Sequence, residues 1–200
     1  MKTLFSRLAT LAVGVALLAV GASGQGSNDA ELTGRLKKLF PNAATFSAKA
    51  GNPAHYKALG PAPAGGKEGE VLGYAYWTTD IEPLERGFDG PIKMLVGLNL
   101  EGEITGVIVT DHREPYGYFS VDLPDWPKQF EGKSIRDSFK VGTDVDAISR
   151  ATISVTSASR AIRNSSRKIA RAYLAPPAPP SGAAAPGAAP GAAAPSAATQ

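Results

Sequence analysis

Residues 92–112 decide the fold, and they read IKMLVGLNL, then EG, then EITGVIVTDH. The two outer segments are rich in β-branched and other apolar residues, which favour extended strands. Glu101 and Gly102 lie between them and favour a tight turn, because glycine readily adopts positive φ angles. The stretch therefore predicts an antiparallel hairpin with strands over residues 92–100 and 103–112.

The sequence before this hairpin predicts one helix and two strands. Leu32, Leu36 and Leu39 recur at helical spacing, and Asn28 or Asp29 is of a residue type that caps helices. The elements expected in chain order are a helix from Asn28 or Asp29 to Phe40, a strand over 44–48, a loop over 51–67 and a strand over 70–79.

The sequence after the hairpin predicts an aromatic loop, short elements and a long basic helix. The elements expected are a loop over 112–119, a short helix over 125–130, a strand over 137–141, and a helix capped by Thr156 or Ser157 that ends near Tyr173. Consecutive strands without helices between them argue against a doubly wound sheet. The fold class expected is α+β, a twisted and mostly antiparallel sheet with a central hairpin and flanking helices.

Both ends of the chain differ in composition from this domain. Residues 1–24 begin with cations, continue with an apolar run and end in small residues, which is typical of a secretory signal peptide. The apolar run is shorter than the ~20 residues that span a bilayer, and an uncleaved N-terminal anchor is the alternative. Residues 176–200 are almost only Ala, Pro, Gly and Ser, which predicts a disordered tail. The folded domain of this exported chain is expected over residues 27–175.

The composition excludes several classes of site. Because the chain has no cysteine, it forms no disulfide and offers no thiol nucleophile or iron–sulfur ligand. His55 and His112 are its only histidines, which argues against a metal centre, and no nucleophile-elbow, P-loop or dinucleotide glycine motif occurs. The formal net charge of +3 includes the cations of the predicted signal peptide. The basic residues of the last helix are interpreted as a solvated face, so no nucleic-acid partner is expected.

Two stretches carry candidate binding residues. Residues 146–156 are rich in hydroxyls and precede a helix, where unpaired N–H groups and the helix dipole would stabilise a phosphate. Without the family resemblance, the residue types favour a simple helix-capping segment. Residues 112–119 combine charged and aromatic side chains, which either pack on the core or form a wall for a flat conjugated ring. In that second case Tyr116, Tyr118 or Phe119 would stack on the ring, and Glu114 would accept from a ring N–H.

These two stretches resemble the FMN-binding domain family. That family includes periplasmic flavin subunits of the Rnf and Na⁺-pumping NADH:quinone oxidoreductase complexes, and N-terminal domains of NosR/NirI proteins. Its attachment motif, Asp-x-x-(Ser/Thr)-Gly-Ala-Thr, aligns with Asp146, Ser149, Arg150, Ala151 and Thr152. The resemblance implies that Thr152 carries FMN through a phosphoester bond. An ApbE-type, Mg²⁺-dependent flavin transferase would install it from FAD.

Two further features refine the resemblance. Residues 87–92 are similar to the family's Gly-Tyr-x-Gly-Pro-Ile element, which adds Gly90 and Pro91 to the candidate cofactor-binding residues. Arg150 stands where the family motif has Gly, so either the backbone there is ordinary or the side chain supplies a cation to the flavin phosphate or to a partner. The string SRATIS looks most like the NosR/NirI branch, although the chain lacks the cysteine-rich modules of those proteins.

The resemblance implies an exported flavoprotein that carries electrons between a membrane donor and a periplasmic acceptor. Such a protein is an electron-transfer component rather than a stand-alone enzyme. The membrane itself would be contacted only if the N-terminal segment stays uncleaved. A non-covalent FMN binder, which Arg150 suggests, and a flavin-free interaction or regulatory module of the same fold are the alternatives.

Overall fold

The computed structural model describes residues 25–115 and 120–174. A five-stranded antiparallel sheet forms its centre, and successive strands of the chain are neighbours in it. The strands are β1 (Thr45–Phe46), β2 (Tyr56–Leu59), β3 (Val71–Trp77), β4 (Lys93–Asn99) and β5 (Ile104–Asp111). The helices described are α1 (Gln25–Leu39), α2 (Thr78–Ile81), α3 (Asp125–Lys128) and α4 (Thr152–Tyr173). The predicted α+β class, with an antiparallel sheet and flanking helices, is confirmed.

The predicted hairpin is formed by β4 and β5. Gly97 lies opposite Gly106 in its register, and Gly102 adopts a φ of 82° in the turn. A Cβ atom on Gly97 would lie 2.2 Å from Thr105 Oγ1 and 3.1 Å from Leu39. The missing side chain therefore lets the end of α1 lie directly against the hairpin.

The two faces of the sheet are covered by different helices. Along β4, Met94, Val96 and Leu98 belong to the core cluster that includes Ile162 and Ile169 of α4. Leu95 points to the other face and belongs to the cluster of Leu36 and Leu39 from α1. Successive strand residues face opposite sides, so one nearly continuous apolar strand supplies two cores. The sheet thereby fixes α4, whose first turn carries the predicted attachment residue.

The start of α4 differs from the prediction. The helix begins at Thr152, so the expected capping role of Thr156 or Ser157 is wrong, whereas the predicted end at Tyr173 is correct. Ala151 occupies the N-cap position without a side-chain hydrogen bond. Serine and threonine near a helix suggest a cap because their hydroxyls bond the free N–H groups. Here the hydroxyl of Ser157 approaches Glu85 Oε2 instead, at 3.3 Å.

Three other predicted elements are also corrected. Helix α1 begins at Gln25 and runs through Asn28 and Asp29, so neither residue caps it. Strand β2 lies inside the expected loop over 51–67, because pairing with β1 and β3 outweighs the loop composition. No strand forms over 137–141 in the described structure, where Val141 makes only an isolated bridge with Val145.

The described ranges contain no helix that is both long and apolar enough to cross a bilayer. The predicted signal peptide over 1–24 and the predicted tail over 176–200 lie outside the described residues.

Candidate functional site

A cavity of about 270 Å³ lies at the N-terminus of α4. It is formed by the turn before β4, the segment that follows β5, and the start of the helix. Its lining residues are Phe88, Pro115, Arg150, Ala151, Thr152, Ile153 and Ser154. The structure therefore brings three predicted residues, Arg150, Ala151 and Thr152, into one concave site.

The first turn of α4 presents unpaired hydrogen-bond donors to this cavity. The first helical bond runs from the Val155 N–H to the Ala151 carbonyl, at 3.0 Å. Among the described residues, the N–H groups of Thr152, Ile153 and Ser154 have no acceptor, and no side chain caps the helix. The Thr152 side chain is exposed beside them. A helix N-terminus with free donors favours a bound anion through hydrogen bonds and the helix dipole.

Arg150 adopts a left-handed backbone conformation, with a φ of 68°. The expectation that a non-glycine residue makes the backbone ordinary here is therefore wrong. The residue that precedes Ala151 turns the chain into α4 in the conformation that glycine adopts most readily. The Arg150 side chain is exposed and lines the cavity, and its guanidinium has no partner in the part of the chain that the structure describes.

Glu114 joins the two walls of the cavity. Its side chain is only 7 % exposed. It accepts hydrogen bonds from the N–H groups of Phe88 (3.0 Å) and Asp89 (3.1 Å), and from the hydroxyl of Ser154. Gly87 makes room for it, since a Cβ there would lie 2.3 Å from Glu114 Oε1. Three of the roughly four acceptor positions of the Glu114 carboxylate are thus occupied. The predicted hydrogen bond from a flavin ring N–H to Glu114 stays a prediction.

His112 holds the segment that carries Glu114. Its Nδ1 atom accepts from the Glu114 N–H at 3.1 Å, which leaves the proton of a neutral ring on Nε2. Nε2 then donates to Asp122 Oδ1 at 2.8 Å. The half-buried imidazole therefore fixes the backbone at Glu114 from one side and contacts the chain beyond the loop from the other.

The remaining predicted site residues lie around the cavity or outside the described ranges. Gly90, with a φ of 145°, accepts a hydrogen bond from the Gly87 N–H and closes the turn that carries Phe88, and Pro91 follows it. Asp146 and Ser149 are exposed and do not line the cavity. The Asp146 N–H donates to Gln129 Oε1 at 2.6 Å. Tyr116, Tyr118 and Phe119, the predicted ring wall, lie outside the described residues.

The sequence reasoning missed the apolar lining residues of the cavity. Phe88 and Ile153 are 67 % and 59 % exposed, and Pro115 lies between their segments. A signal for Ile153 was present, because it lies about half a turn around α4 from the buried Ile162. An apolar residue on the polar side of an amphipathic helix indicates a contact outside the core.

These residues fit the chemistry of FMN. N–H groups and a guanidinium that have no partners among the described residues suit a phosphate, while the apolar surfaces of Phe88 and Ile153 suit a flat conjugated ring. The exposed side chain of Thr152 lies next to these donors.

Comparison with known proteins points to the same cofactor. Residues 87–167 match the model of the FMN-binding domain. One relative is a component of the ion-translocating oxidoreductase complex of Haemophilus influenzae (strain ATCC 51907), 33% identical over 118 residues, which cover 54% of this chain and 53% of that protein. Another is a component of the Na(+)-translocating ferredoxin:NAD(+) oxidoreductase complex of Acetobacterium woodii, 31% identical over 97 residues, with 44% of this chain and 45% of that protein covered.

The chain spans about half the length of these curated relatives. The matched region contains the turn at Phe88, the buried Glu114 and the whole first turn of α4. The resemblance predicted from the motifs is confirmed, because residues 87–167 match the family model of the FMN-binding domain.

Proposed function

We propose that this protein is an exported electron carrier with FMN attached to Thr152 through a phosphoester bond. In this proposal residues 1–24 are the signal peptide, residues 27–175 form the flavin domain and residues 176–200 are a disordered tail. The chain passes electrons between a membrane donor and a periplasmic acceptor. It works as a component of electron transport rather than as a stand-alone enzyme.

The observation that carries this proposal is the position of Thr152. Its hydroxyl is exposed in a cavity that also holds three N–H groups and the Arg150 guanidinium, none of which has a partner among the described residues. A flavin transferase of the ApbE type would use FAD as the donor of the FMN group. The Thr152 oxygen would attack the phosphorus of the FMN half, AMP would leave, and the hydroxyl proton would be released. The N–H groups of α4 would then hold the phosphate oxygens of the new phosphoester.

Bound FMN would supply one- and two-electron redox chemistry, and the protein would hold and orient it. The side chains of Phe88 and Ile153 offer apolar surface for the ring next to the phosphate end. Glu114 and His112 would keep the two cavity walls at a fixed separation, because Glu114 bonds both Phe88 and Ser154. The hydrogen bonds of Glu114 would thus hold the cavity walls in place before a ligand binds.

The names of the relatives support the electron-transfer role. They are components of ion-translocating oxidoreductase complexes, one of which is named for ferredoxin and NAD(+). In this proposal the flavin domain would pass electrons to and from other redox groups. For this chain a membrane-bound redox partner on one side and a periplasmic partner on the other are the expected contacts.

The decisive experiment is intact-mass and visible-absorbance measurement of the full chain, exported in a host that contains a flavin transferase. We expect a yellow protein whose mass gain equals FMN less water, located in the peptide that contains Thr152. Thr152→Ala should lose all covalently bound flavin. Thr156→Ala changes an exposed threonine one turn further along α4 and should keep it. Flavin still attached to Thr152→Ala protein would show that another residue is the attachment point.

Non-covalent FMN binding is the second candidate, and Arg150 favours it because a cation can hold a phosphate without a covalent bond. Denaturation followed by filtration separates the two. Flavin that passes the filter supports the second candidate, and flavin that stays with the chain supports the first. Colourless protein with an unmodified mass would contradict both and favour a flavin-free module of the same fold.

A further inference from the structure

Arg150 occupies a backbone conformation that arginine does not favour. A left-handed conformation costs a non-glycine residue roughly tenfold in its local equilibrium, unless a short polar side chain bonds nearby, as in Asn or Asp. Arg150 has no such bond in the described structure, and its side chain is exposed. An interaction in the cavity that Arg150 lines would offset this conformational cost.

The cavity needs a positive charge if it is to hold a phosphate. The buried Glu114 carboxylate bonds the hydroxyl of Ser154, whose N–H is one of the three free donors of the described helix start. A phosphate held by these donors would lie close to that carboxylate, and like charges repel strongly where water is partly excluded. A nearby cation would offset this repulsion.

Arg150 is the cationic residue among those that line the cavity. Other arginines near α4 are engaged or face elsewhere. Arg160 pairs with Glu85 at 2.9 Å. Arg113 lies over the turn at Gly90, where its Nη2 is 3.4 Å from the position of a glycine Cβ, and it does not contribute to the lining.

We propose that Arg150 is a phosphate-binding residue of this site, and that with the free N–H groups of α4 it binds the flavin phosphate even where no covalent bond is present. This inference rests on the proposed function and extends it. The same contacts would hold the flavin phosphate in free FMN and in the FMN half of FAD, from which the transferase forms the bond to Thr152 with AMP as the leaving group. Left-handed strain at Arg150 is retained because it brings a guanidinium to the start of the helix.

The test uses full-length protein made in a host without flavin transferase, titrated with FMN and with riboflavin, which has the same ring but no phosphate. Flavin fluorescence and calorimetry give the two affinities. We expect FMN to bind at least tenfold more tightly than riboflavin, and inorganic phosphate to compete with FMN. Arg150→Gln and Arg150→Gly should each reduce the FMN preference roughly tenfold, the size expected for one charge-assisted hydrogen bond.

A second readout separates phosphate binding from a structural role. Arg150→Gly should raise the melting temperature of the flavin-free protein, because glycine removes the left-handed strain, whereas Arg150→Gln should not. Arg171→Gln is the matched control, since Arg171 is an exposed arginine at the far end of the same helix. It should change neither the FMN preference nor the melting temperature.

The outcomes distinguish this inference from the proposed function. Equal affinities for FMN and riboflavin, an unchanged preference in Arg150→Gln, or no FMN binding by the flavin-free protein would each overturn the role of Arg150. If the transferase still attaches FMN to Thr152 in any of these cases, the proposed function stands without a phosphate-binding role for Arg150. If the wild-type chain takes up no flavin by either route, both fail.

Discussion

The middle of α4 buries serine hydroxyls that have acceptors, whereas its first turn leaves three N–H groups and an arginine without partners in the described structure. Ser159 donates to the Val155 carbonyl at 2.7 Å, and Ser165 and Ser166 donate to carbonyls one turn earlier. The Tyr76 hydroxyl donates to Ser166 Oγ at 2.7 Å. Burial raises the pKa of the Tyr76 phenol, and the Ser166 hydrogen bond opposes this only in part.

The difference between these two parts of one helix follows from solvent access. A buried polar group without a partner costs about 1–3 kcal/mol, so the buried serines are paired within the helix. The first turn borders an open cavity, where water replaces the missing partners at little cost. Unpaired donors can therefore be kept there for a ligand, and stability and binding should respond separately to substitutions in the two parts.

The largest expected effect comes from one pair of matched substitutions on α4. Ile162→Ala should destabilise the protein by about 2–5 kcal/mol, because Ile162 is fully buried and its removal leaves a cavity. Ile153→Ala should change stability by less than about 0.5 kcal/mol, because Ile153 is exposed. It should nevertheless weaken FMN binding to the flavin-free protein.

Urea unfolding and FMN titration measure the two effects. Ile162→Ala protein that is still folded should keep its affinity for FMN. A large stability loss in Ile153→Ala, with FMN binding unchanged, would contradict the division of α4 into a core part and a ligand part.

The next effect tests the link between the two walls of the cavity. Glu114→Gln replaces one accepting oxygen by an NH₂ group, so one of the three donors that converge on Glu114 loses its acceptor. We expect a stability loss of about 1–3 kcal/mol in urea unfolding, together with weaker FMN binding. Glu101→Gln, an exposed glutamate in the hairpin turn, should change neither. Unaltered stability in Glu114→Gln would mean that the walls are held apart by other contacts.

The smallest expected effect on stability concerns Asp144, whose carboxylate accepts hydrogen bonds in the loop before α4. Burial tends to raise the pKa of Asp144, but hydrogen bonds from Ser138 Oγ and the N–H groups of Phe139 and Lys140 outweigh it and hold the pKa below its usual range. A depressed pKa means that the stabilisation is present above the unfolded-state value of about 4 and is lost as the pH falls through the folded value.

Asp144→Asn should therefore destabilise the protein at pH 7, by less than about 1 kcal/mol since the carboxylate is largely solvated. The difference from wild type should shrink towards pH 3. Thermal unfolding across this range, with Glu131→Gln as an exposed control, measures it. A difference that grows as the pH falls would reverse the sign of the proposed interaction.

Local sequence patterns predicted those elements whose stabilising contacts lie close together in the chain. The hairpin of β4 and β5 needs only two apolar runs and the turn at Gly102, and α3 was found where the sequence predicted it. Strand β2 was missed, because the Pro- and Gly-rich composition around it predicts a loop, and only its pairing with β1 and β3 makes it a strand. The predicted start of α4 was one turn late, because nothing local indicates that Ala151 would occupy the N-cap position.

The amino-acid sequence was sufficient to predict the fold class and, through the family motif, the position of Thr152 next to a helix. Both depend on periodicity and on short-range residue order, which local chemistry controls. By contrast, three-dimensional packing was needed to show that Glu114 bonds Ser154, forty positions away, and that Phe88 and Ile153 line one cavity. The left-handed conformation of Arg150 likewise became visible only in the folded chain. These features arise because the sheet holds the turn before β4 and the start of α4 at one place, and no local pattern encodes that distance.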